Sequence, residues 1–439
     1  MNISYVQLSD FQEIIKEDQL RILPQLTRRS LPVDCVSESA TAIIGGRRCG
    51  KTYRSYQFIH DLAASGVPRE SVCRFQFNDL RLSRLALDEL RMIDTAYYSL
   101  YPSFRHTRPV HFIFDEIHRI EGWEDYILYL LDDPNHRVLI TGSTSKLQSG
   151  EIASALRGKC HPRRLFGFSF REFLSHLGIT PDTISSTGQS QLRNAFSRYL
   201  VQGGYPELFK FEAQRHVELL QDYWRTMLVR DIVEAHPGEQ IPFESLLYFG
   251  QSLVSRTARP FTVRRLMTEM HEAGLGCSHP TGYKYLRYLQ EAFAVDAVSL
   301  FTESTRVRQR NYQKAYALDW ALADAVTPTA PVTVSHKLET IVYVELVRRN
   351  RIVHYLSTHN DTEIDFITHR MSGQGVDLVQ VCQSLTADNY QREVAALPPA
   401  CRHTGASSAT VVTLEDERDI ALDGVTVRVV PAWKWLLEE

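Results

Sequence analysis

Apolar residues recur along this chain in two rhythms, and the points where one gives way to the other mark its elements. Leu8, Phe11, Ile14, Ile15, Ile22, Leu23 and Leu26 fall at helical spacing, with Pro24 and Pro32 dividing the stretch into pieces. The short run Ala42-Ile43-Ile44 then reads as a buried strand, and Tyr53 to Ala64 returns to helical spacing. Val72 to Phe77 predicts a second strand, Leu80 to Met92 a helix, His111 to Phe114 a third strand and Arg137 to Ile140 a fourth. A helix ending at Leu156 and a last strand at Leu165 to Phe168 complete the series. Strands alternating with helices predict an α/β unit, a parallel sheet with helical crossovers, over residues 1–168.

The rhythm changes at 169–243, which reads as helical throughout: Phe170 to Leu177, Leu192 to Val201 and His216 to Ile232, punctuated by Gly203-Gly204-Tyr205-Pro206-Glu207 and closed by Pro237-Gly238. Residues 244–325 read as a winged-helix module. Helices are expected at Glu244 to Ser255, Thr262 to Ala273 and Gly282 to Ala292, with strands at Val295 to Phe301 and Tyr312 to Leu318. Pro328 and Pro331 mark a linker into a second α/β unit, 326–439. Its helices are expected at Lys337 to Arg348 and Asn389 to Leu397, and its strands at Val353 to Leu356, Glu363 to Thr368, Asp377 to Cys382, Ala409 to Thr413 and Val425 to Val430.

Composition narrows the chemistry. A chain of 439 residues, 44% hydrophobic and 23% charged, is of the globular class with room for about three domains. A formal net charge of −3 excludes a wholly basic nucleic-acid coat but leaves local basic patches open. Seven cysteines without a C-x-x-C pair point to reduced thiols in a cytoplasm, and sixteen histidines show no H-E-x-x-H spacing. No signal peptide and no membrane-spanning apolar run is expected.

The most informative stretch is Gly45-Gly46-Arg47-Arg48-Cys49-Gly50-Lys51-Thr52, between the first strand and the helix after it. Glycines allow backbone N–H groups to turn inward around a phosphate, and the helix N-terminus adds partial positive charge. Lys51 would reach the β- and γ-phosphates, and Thr52 would hold Mg²⁺. The third strand ends in Asp115-Glu116, at the sheet edge where ligands bind in open α/β folds. Asp115 would bind the metal, and Glu116 would take a proton from the attacking water. After the fourth strand, Ser143, with Thr141 close behind, either contacts the γ-phosphate or lytic water or caps a helix. Among Arg157, Lys159, Arg163 and Arg164, one cation would neutralise γ-phosphate charge in a neighbouring subunit, or all four form a solvated basic turn. In the winged-helix stretch, Lys284 and Arg287 on the third helix, with Arg306, Arg308 and Arg310 on the hairpin tip, suit a phosphate grip on DNA. The alternative is a protein-docking block.

Taken together, GGRRCGKT (45–52), FIFDEIHRIEGWE (112–124), TGSTSKL (141–147), LRGK (156–159), FSFREFL (168–174), YLVQGGYPE (199–207), RDI (230–232), KAYALD (314–319) and TEIDF (362–366) resemble the prokaryotic AAA-type P-loop ATPases that carry a C-terminal restriction-endonuclease-like domain of unknown function. The resemblance runs from about residue 20 to 435, and Lys159 stands where that group usually has Arg. It implies an ATPase core at 1–168, a helical lid over the nucleotide at 169–243, and a nuclease-like fold at 326–439. ATP and Mg²⁺ are the implied cofactors. Arg230 and Asp231 either reach the nucleotide or form a structural ion pair. In nucleases of the implied fold, a helical acid, a strand Asp and an E-x-K on the next strand hold Mg²⁺ and water. Glu339 and Asp365 match, with Glu363 on the same face as a substitute ligand, but the E-x-K position reads Gln380-Val381-Cys382. Gln is a poor Mg²⁺ ligand and Cys supplies no ammonium, and no nearby Lys has the spacing to replace the lost one, so the domain is expected to be inactive. The resulting expectation is a cytoplasmic ATPase whose nucleotide state changes DNA or partner binding, the partner being another protein or further copies of the chain in a homo-oligomer. The alternatives are a slow nucleotide-gated protein-binding switch and an ATP-regulated nuclease.

Overall fold

The computed structural model describes residues 6–83, 85–142, 154–276, 278–302, 304, 312–327, 331–357, 362–370 and 375–438. They form two compact units, Met1–Leu165 and Phe166–Glu439.

In the first unit, α1 (Leu8–Leu20) leads to β1 (Ala40–Ile44), α2 (Lys51–Ala64), β2 (Val72–Gln76), α3 (Met92–Leu100), β3 (Val110–Asp115), α4 (Trp123–Leu131), β4 (His136–Gly142) and β5 (Cys160–Arg164). The strands make the expected parallel sheet, in the order β2-β3-β4-β1-β5. All of β3 is buried, because helices cover both faces of a sheet built from crossovers. Two expectations are corrected. The segment 80–92 forms short 3₁₀ turns at Leu80–Leu82 and Leu87–Arg91, and the helix begins only at Met92. The last strand is Cys160–Arg164 and not 165–168. Its sequence, Cys-His-Pro-Arg-Arg, has no apolar alternation because it pairs only with β1, at the sheet edge.

His111 on β3 carries a cost that a test can read. Its ring is buried edge-on against Phe58, centroids 5.9 Å apart, and its Nδ1 has no hydrogen-bond partner among the described residues. Burial, with Arg137 nearby, pushes its pKa from 6.5 down to about 4. Between those values the unfolded chain accepts a proton that the fold refuses, so stability falls as pH drops through that window. The term is on the order of 3 kcal/mol. His111→Phe should remove this part of the acid sensitivity in urea melts between pH 7 and 4.5. An unchanged pH slope would rule the assignment out.

The second unit begins with α5 (Phe170–His176), α6 (Ser186–Gln202) and α7 (His216–Met227), which runs into a π-helical turn at Leu228–Val233. Next come α8 (Phe243–Val254), β6 (Arg259–Phe261), α9 (Val263–Glu272), α10 (His279–Glu291), β7 (Val295–Val298) and β8 (Gln313–Ala317). The three strands form an antiparallel sheet in the order β6-β8-β7. The start of α10 is set by Ser278, whose hydroxyl accepts from the Thr281 N–H, with Pro280 in the first turn.

The chain continues through α11 (Trp320–Val326), α12 (Val334–Arg348), β9 (Arg351–Ser357), β10 (Glu363–Arg370), β11 (Val376–Val381), α13 (Tyr390–Glu393), α14 (Leu397–Thr404), β12 (Ser408–Thr413), β13 (Arg418–Leu422), β14 (Val425–Pro431) and α15 (Ala432–Trp435). A mixed six-stranded sheet runs β13-β14-β12-β11-β10-β9. The single helix expected at 389–397 is instead two short ones, the second opening with Pro398 near its N-terminus.

Two hydrophobic cores cut across the sequence divisions. Leu220, Trp224 and Met227 of α7 pack with Phe249, Leu266, Tyr285 and Leu289. Phe170, Phe173 and Tyr199 pack with Trp320, Leu338, Tyr343 and Trp433. The helical stretch 169–243 is therefore shared between a core around the three-stranded sheet and one around the six-stranded sheet.

Candidate functional site

The loop from β1 to α2 is built by backbone geometry before side-chain chemistry. Gly45 has φ +152°, and a Cβ there would meet the Leu165 carbonyl oxygen at 2.2 Å, so no other residue fits. Gly50 has φ +100° and caps α2. From the other side the buried Arg29 braces the loop. Its guanidinium donates to the Cys49 carbonyl at 2.7 Å, and its backbone N–H and C=O are both bonded to the Gln57 amide. Lys51 starts α2, and its Nζ donates to the carbonyls of Gly45 at 2.9 Å and Gly46 at 2.8 Å. The ammonium is thus folded over the mouth of the loop, held by weak neutral acceptors that a phosphate oxygen would outcompete.

Asp115, fully buried at the end of β3, is the hub of the site. Its Oδ2 accepts from the Thr52 hydroxyl at 2.9 Å, and its Oδ1 accepts from the Thr141 hydroxyl. The strand register sets Asp115 opposite Thr141, which places the two side chains side by side for this contact. Arg74 on β2 donates to the same Oδ2 at 3.2 Å and to Asp18 of α1 at 3.2 Å, with its guanidinium 4.5 Å from the Tyr56 ring centroid. One buried cation is therefore shared between two buried carboxylates. Thr52 and Asp115 together present the hard oxygen donors that Mg²⁺ takes, so these residues fit the ion.

Glu116 follows in a left-handed turn, φ 62° and ψ 33°, with its N–H donating to the Thr141 carbonyl at 3.0 Å. The turn breaks strand alternation and brings Glu116 out beside Asp115. Burial raises its pKa; Lys51 opposes that shift and Asp115 adds to it. Its Oε2 lies 3.3 Å from His118 Nε2.

Residues 37–174 match the AAA domain family, and residues 193–333 match a domain of unknown function, DUF8612. The loop at 45–52, the strand ending in Asp115-Glu116 and Thr141 all fall within the matched residues 37–174. The whole chain is similar to an uncharacterized protein of Methanocaldococcus jannaschii, 26% identical over 442 residues, covering 97% of this chain and 95% of that protein. An uncharacterized protein of Haemophilus influenzae is 25% identical over 332 residues, covering 75% of this chain and 79% of its own length. Among solved structures, a Walker-type ATPase of Pyrococcus abyssi aligns with 11% identity and a TM-score of 0.42, over 65% of this chain and 90% of that one.

Around this site, the other sequence candidates fall out unevenly. Ser143 lies outside the described residues, whereas Thr141 is inside the site as described above. Arg157 is exposed, Lys159 lies 4.0 Å from Asp132, and Arg163 and Arg164 are on β5. Arg230 pairs with Glu234 at 2.8 Å, while Asp231 is buried in the π-helical turn. Lys284 and Arg287, expected as phosphate contacts on an exposed helix side, are ion-paired with Glu239 at 3.0 Å and Glu291 at 3.4 Å. Arg306, Arg308 and Arg310 lie outside the described residues.

The acidic cluster of the second unit overturns one expectation. A lysine does lie beside Glu339, Glu363 and Asp365: it is Lys314 of β8, from outside the E-x-K strand. Its Nζ sits 2.8 Å from Glu339 Oε1, 2.7 Å from Glu363 Oε1 and 3.1 Å from Asp365 Oδ1, with only 2% of the side chain exposed. Burial opposes its charge, but Tyr316, Glu339, Asp365 and Glu363 outweigh burial and raise its pKa. Tyr316 also donates to Glu339 Oε1 at 2.7 Å. Gln380 is committed elsewhere, accepting from the Asp365 N–H at 3.0 Å and donating to Glu393 at 2.8 Å. Burial pushes the Cys382 thiol up to about 12. These residues do not fit a divalent metal, because an ammonium already holds the centre of the cluster. Among the described residues, no group of three or more His, Cys, Asp or Glu is arranged to hold one. No helix among them is long and apolar enough to cross a membrane.

Proposed function

We propose that this chain hydrolyses Mg-ATP at its P-loop domain and that the bound nucleotide sets how the second unit grips nucleic acid. The observation carrying the ATP half of this reading is the Asp115 hub, which gathers Thr52 of the P-loop, Thr141 of the adjacent strand and Glu116 at one sheet edge. Backbone N–H groups of residues 45–50 receive the phosphates, and Lys51 moves from the loop carbonyls to the β- and γ-oxygens. Mg²⁺ held by Thr52 and Asp115 would neutralise phosphate charge. Glu116 accepts the proton of the attacking water on its carboxylate, and burial raises that carboxylate's basicity toward the task. Thr141 and Arg74 keep Asp115 in place, so positioning is prepaid by the fold. Residues 244–325 act as a winged helix and 326–439 as an inactive nuclease-like scaffold.

The test is ATP turnover by the full chain with and without single- and double-stranded DNA, combined with DNA affinity in ADP and in a non-hydrolysable ATP analogue. Turnover changed by DNA, and DNA affinity that differs between the two nucleotides, is the expected result. Turnover indifferent to nucleic acid would replace this reading with a nucleotide-gated protein switch.

A further inference from the structure

Of the basic residues expected to read nucleic acid, the two described, Lys284 and Arg287, are not ones the fold leaves uncompensated. Each has a carboxylate partner. A different face of the same region, where β6 enters α9, gathers Arg256, Arg259, Arg264 and Arg265 around two adjoining cavities of about 420 and 520 Å³. The first has Arg256, Arg259 and Arg265 at its walls, Phe261 and Leu266 beneath, and Tyr312 at its side with 54% of its surface exposed. The second continues along α9 past Arg264, Arg265 and Thr268 to Glu272.

The charge does not cancel. Arg256 and Arg265 share one carboxylate, Glu269, at 2.5 and 3.3 Å. Arg259 and Arg264 have no carboxylate partner among the described residues. The neighbour of Arg259 is His336, 3.5 Å away, which burial keeps neutral by pushing its pKa down to about 4. In a chain of net charge −3, this is a local excess of planar, fork-shaped donors suited to phosphate oxygens. The ten residues of α9 span about 15 Å, enough for several phosphates at about 3.4 Å per phosphate on a strand.

We propose that the β6–α9 face is a binding track for a single-stranded nucleic-acid segment, with Arg259, Arg264 and Arg265 on consecutive phosphates and a base stacked on Tyr312. An acidic peptide would use the arginines but would gain little from an exposed aromatic ring beside them, whereas stacking on such a ring is how single strands are held without sequence readout. This inference rests on the nucleic-acid half of the proposed function and places it on a face other than α10.

The experiment is fluorescence anisotropy of a labelled dT20 oligonucleotide with the full chain at several salt concentrations. Changing Arg259, Arg264 and Arg265 to Ala together should weaken binding at least tenfold and flatten the log–log salt slope by about two. The matching Lys triple should keep the slope, which separates lost charge from lost fold. Tyr312→Ala should weaken binding about five- to a hundredfold without changing the slope. Lys284→Ala with Arg287→Ala should leave both unchanged. Wild-type affinity and slope in the arginine triple, or loss confined to the Lys284/Arg287 pair, would overturn the track while the nucleic-acid reading stands. Equal competition by poly-glutamate would also overturn it. No binding by wild type at low salt would remove the track and that reading together, leaving ATP turnover untouched.

Discussion

Glu116→Gln is expected to bind ATP within a few-fold of wild type and to turn it over about 10²- to 10⁴-fold more slowly. The amide keeps the shape of the carboxylate but cannot accept the water's proton. The turn that positions it is held by the backbone, through the Glu116 N–H and the Thr141 carbonyl, so the substitution leaves the hub of Asp115, Thr52 and Thr141 in place. Lys51→Ala behaves differently. It removes the ammonium poised over the loop and should weaken nucleotide binding by about ten- to a hundredfold, the loss of a charged hydrogen-bonding partner. Fluorescent-nucleotide titration and single-turnover quench measure the two effects separately. Near wild-type turnover in Glu116→Gln would remove Glu116 from the role of base. Equal nucleotide affinity in Lys51→Ala would remove the lysine from phosphate binding.

How much of this site the sequence discloses depends on how local each interaction is. The P-loop and the Asp115-Glu116 strand end are legible because glycines, a lysine and a hydroxyl must occur at fixed spacing, and because a buried strand that ends in acids is a local pattern. The parallel sheet is legible from strands alternating with helices. The supports are not. Arg74 meets Asp115 from 41 positions away and Asp18 from 56, and Arg29 meets Cys49 from 20. A buried ion pair leaves no periodic trace, and a lone arginine in a strand such as Val-Cys-Arg-Phe-Gln looks like a solvent-facing residue. Arg74 is instead 3% exposed. An arginine at a central position of an otherwise apolar, both-faces-buried strand is the one signal that would have found it. The edge strand β5 was hidden for the opposite reason: a strand with one partner need not be apolar at all.

The last expected result concerns Lys314, which the sequence displays within KAYALD but which only the folded chain joins to the acids at 339, 363 and 365. Lys314→Met should destabilise the second unit by about 3–5 kcal/mol, because it strands Glu339 and Asp365 as buried carboxylates with no cation between them. For a unit of this size that is a drop in Tm of about 10 °C. Burial and Asp365 already push the Glu339 carboxyl upward, so a neutral group there is close to what the site prefers once the lysine is gone. Adding Glu339→Gln should therefore recover a large part of the loss, and that recovery separates an electrostatic lock from mere packing of the lysine stem. The same geometry sets the catalytic expectation. With an ammonium where a metal would sit, Gln380 bonded to Asp365 and Glu393, and Cys382 protonated, the wild-type chain should cut neither single- nor double-stranded DNA with Mg²⁺ or Mn²⁺, whether or not ATP is present. Cleavage by wild type that disappears in Asp365→Ala would show the cluster to be a working nuclease site. Equal melting temperatures for wild type and Lys314→Met would show that the ammonium holds nothing together.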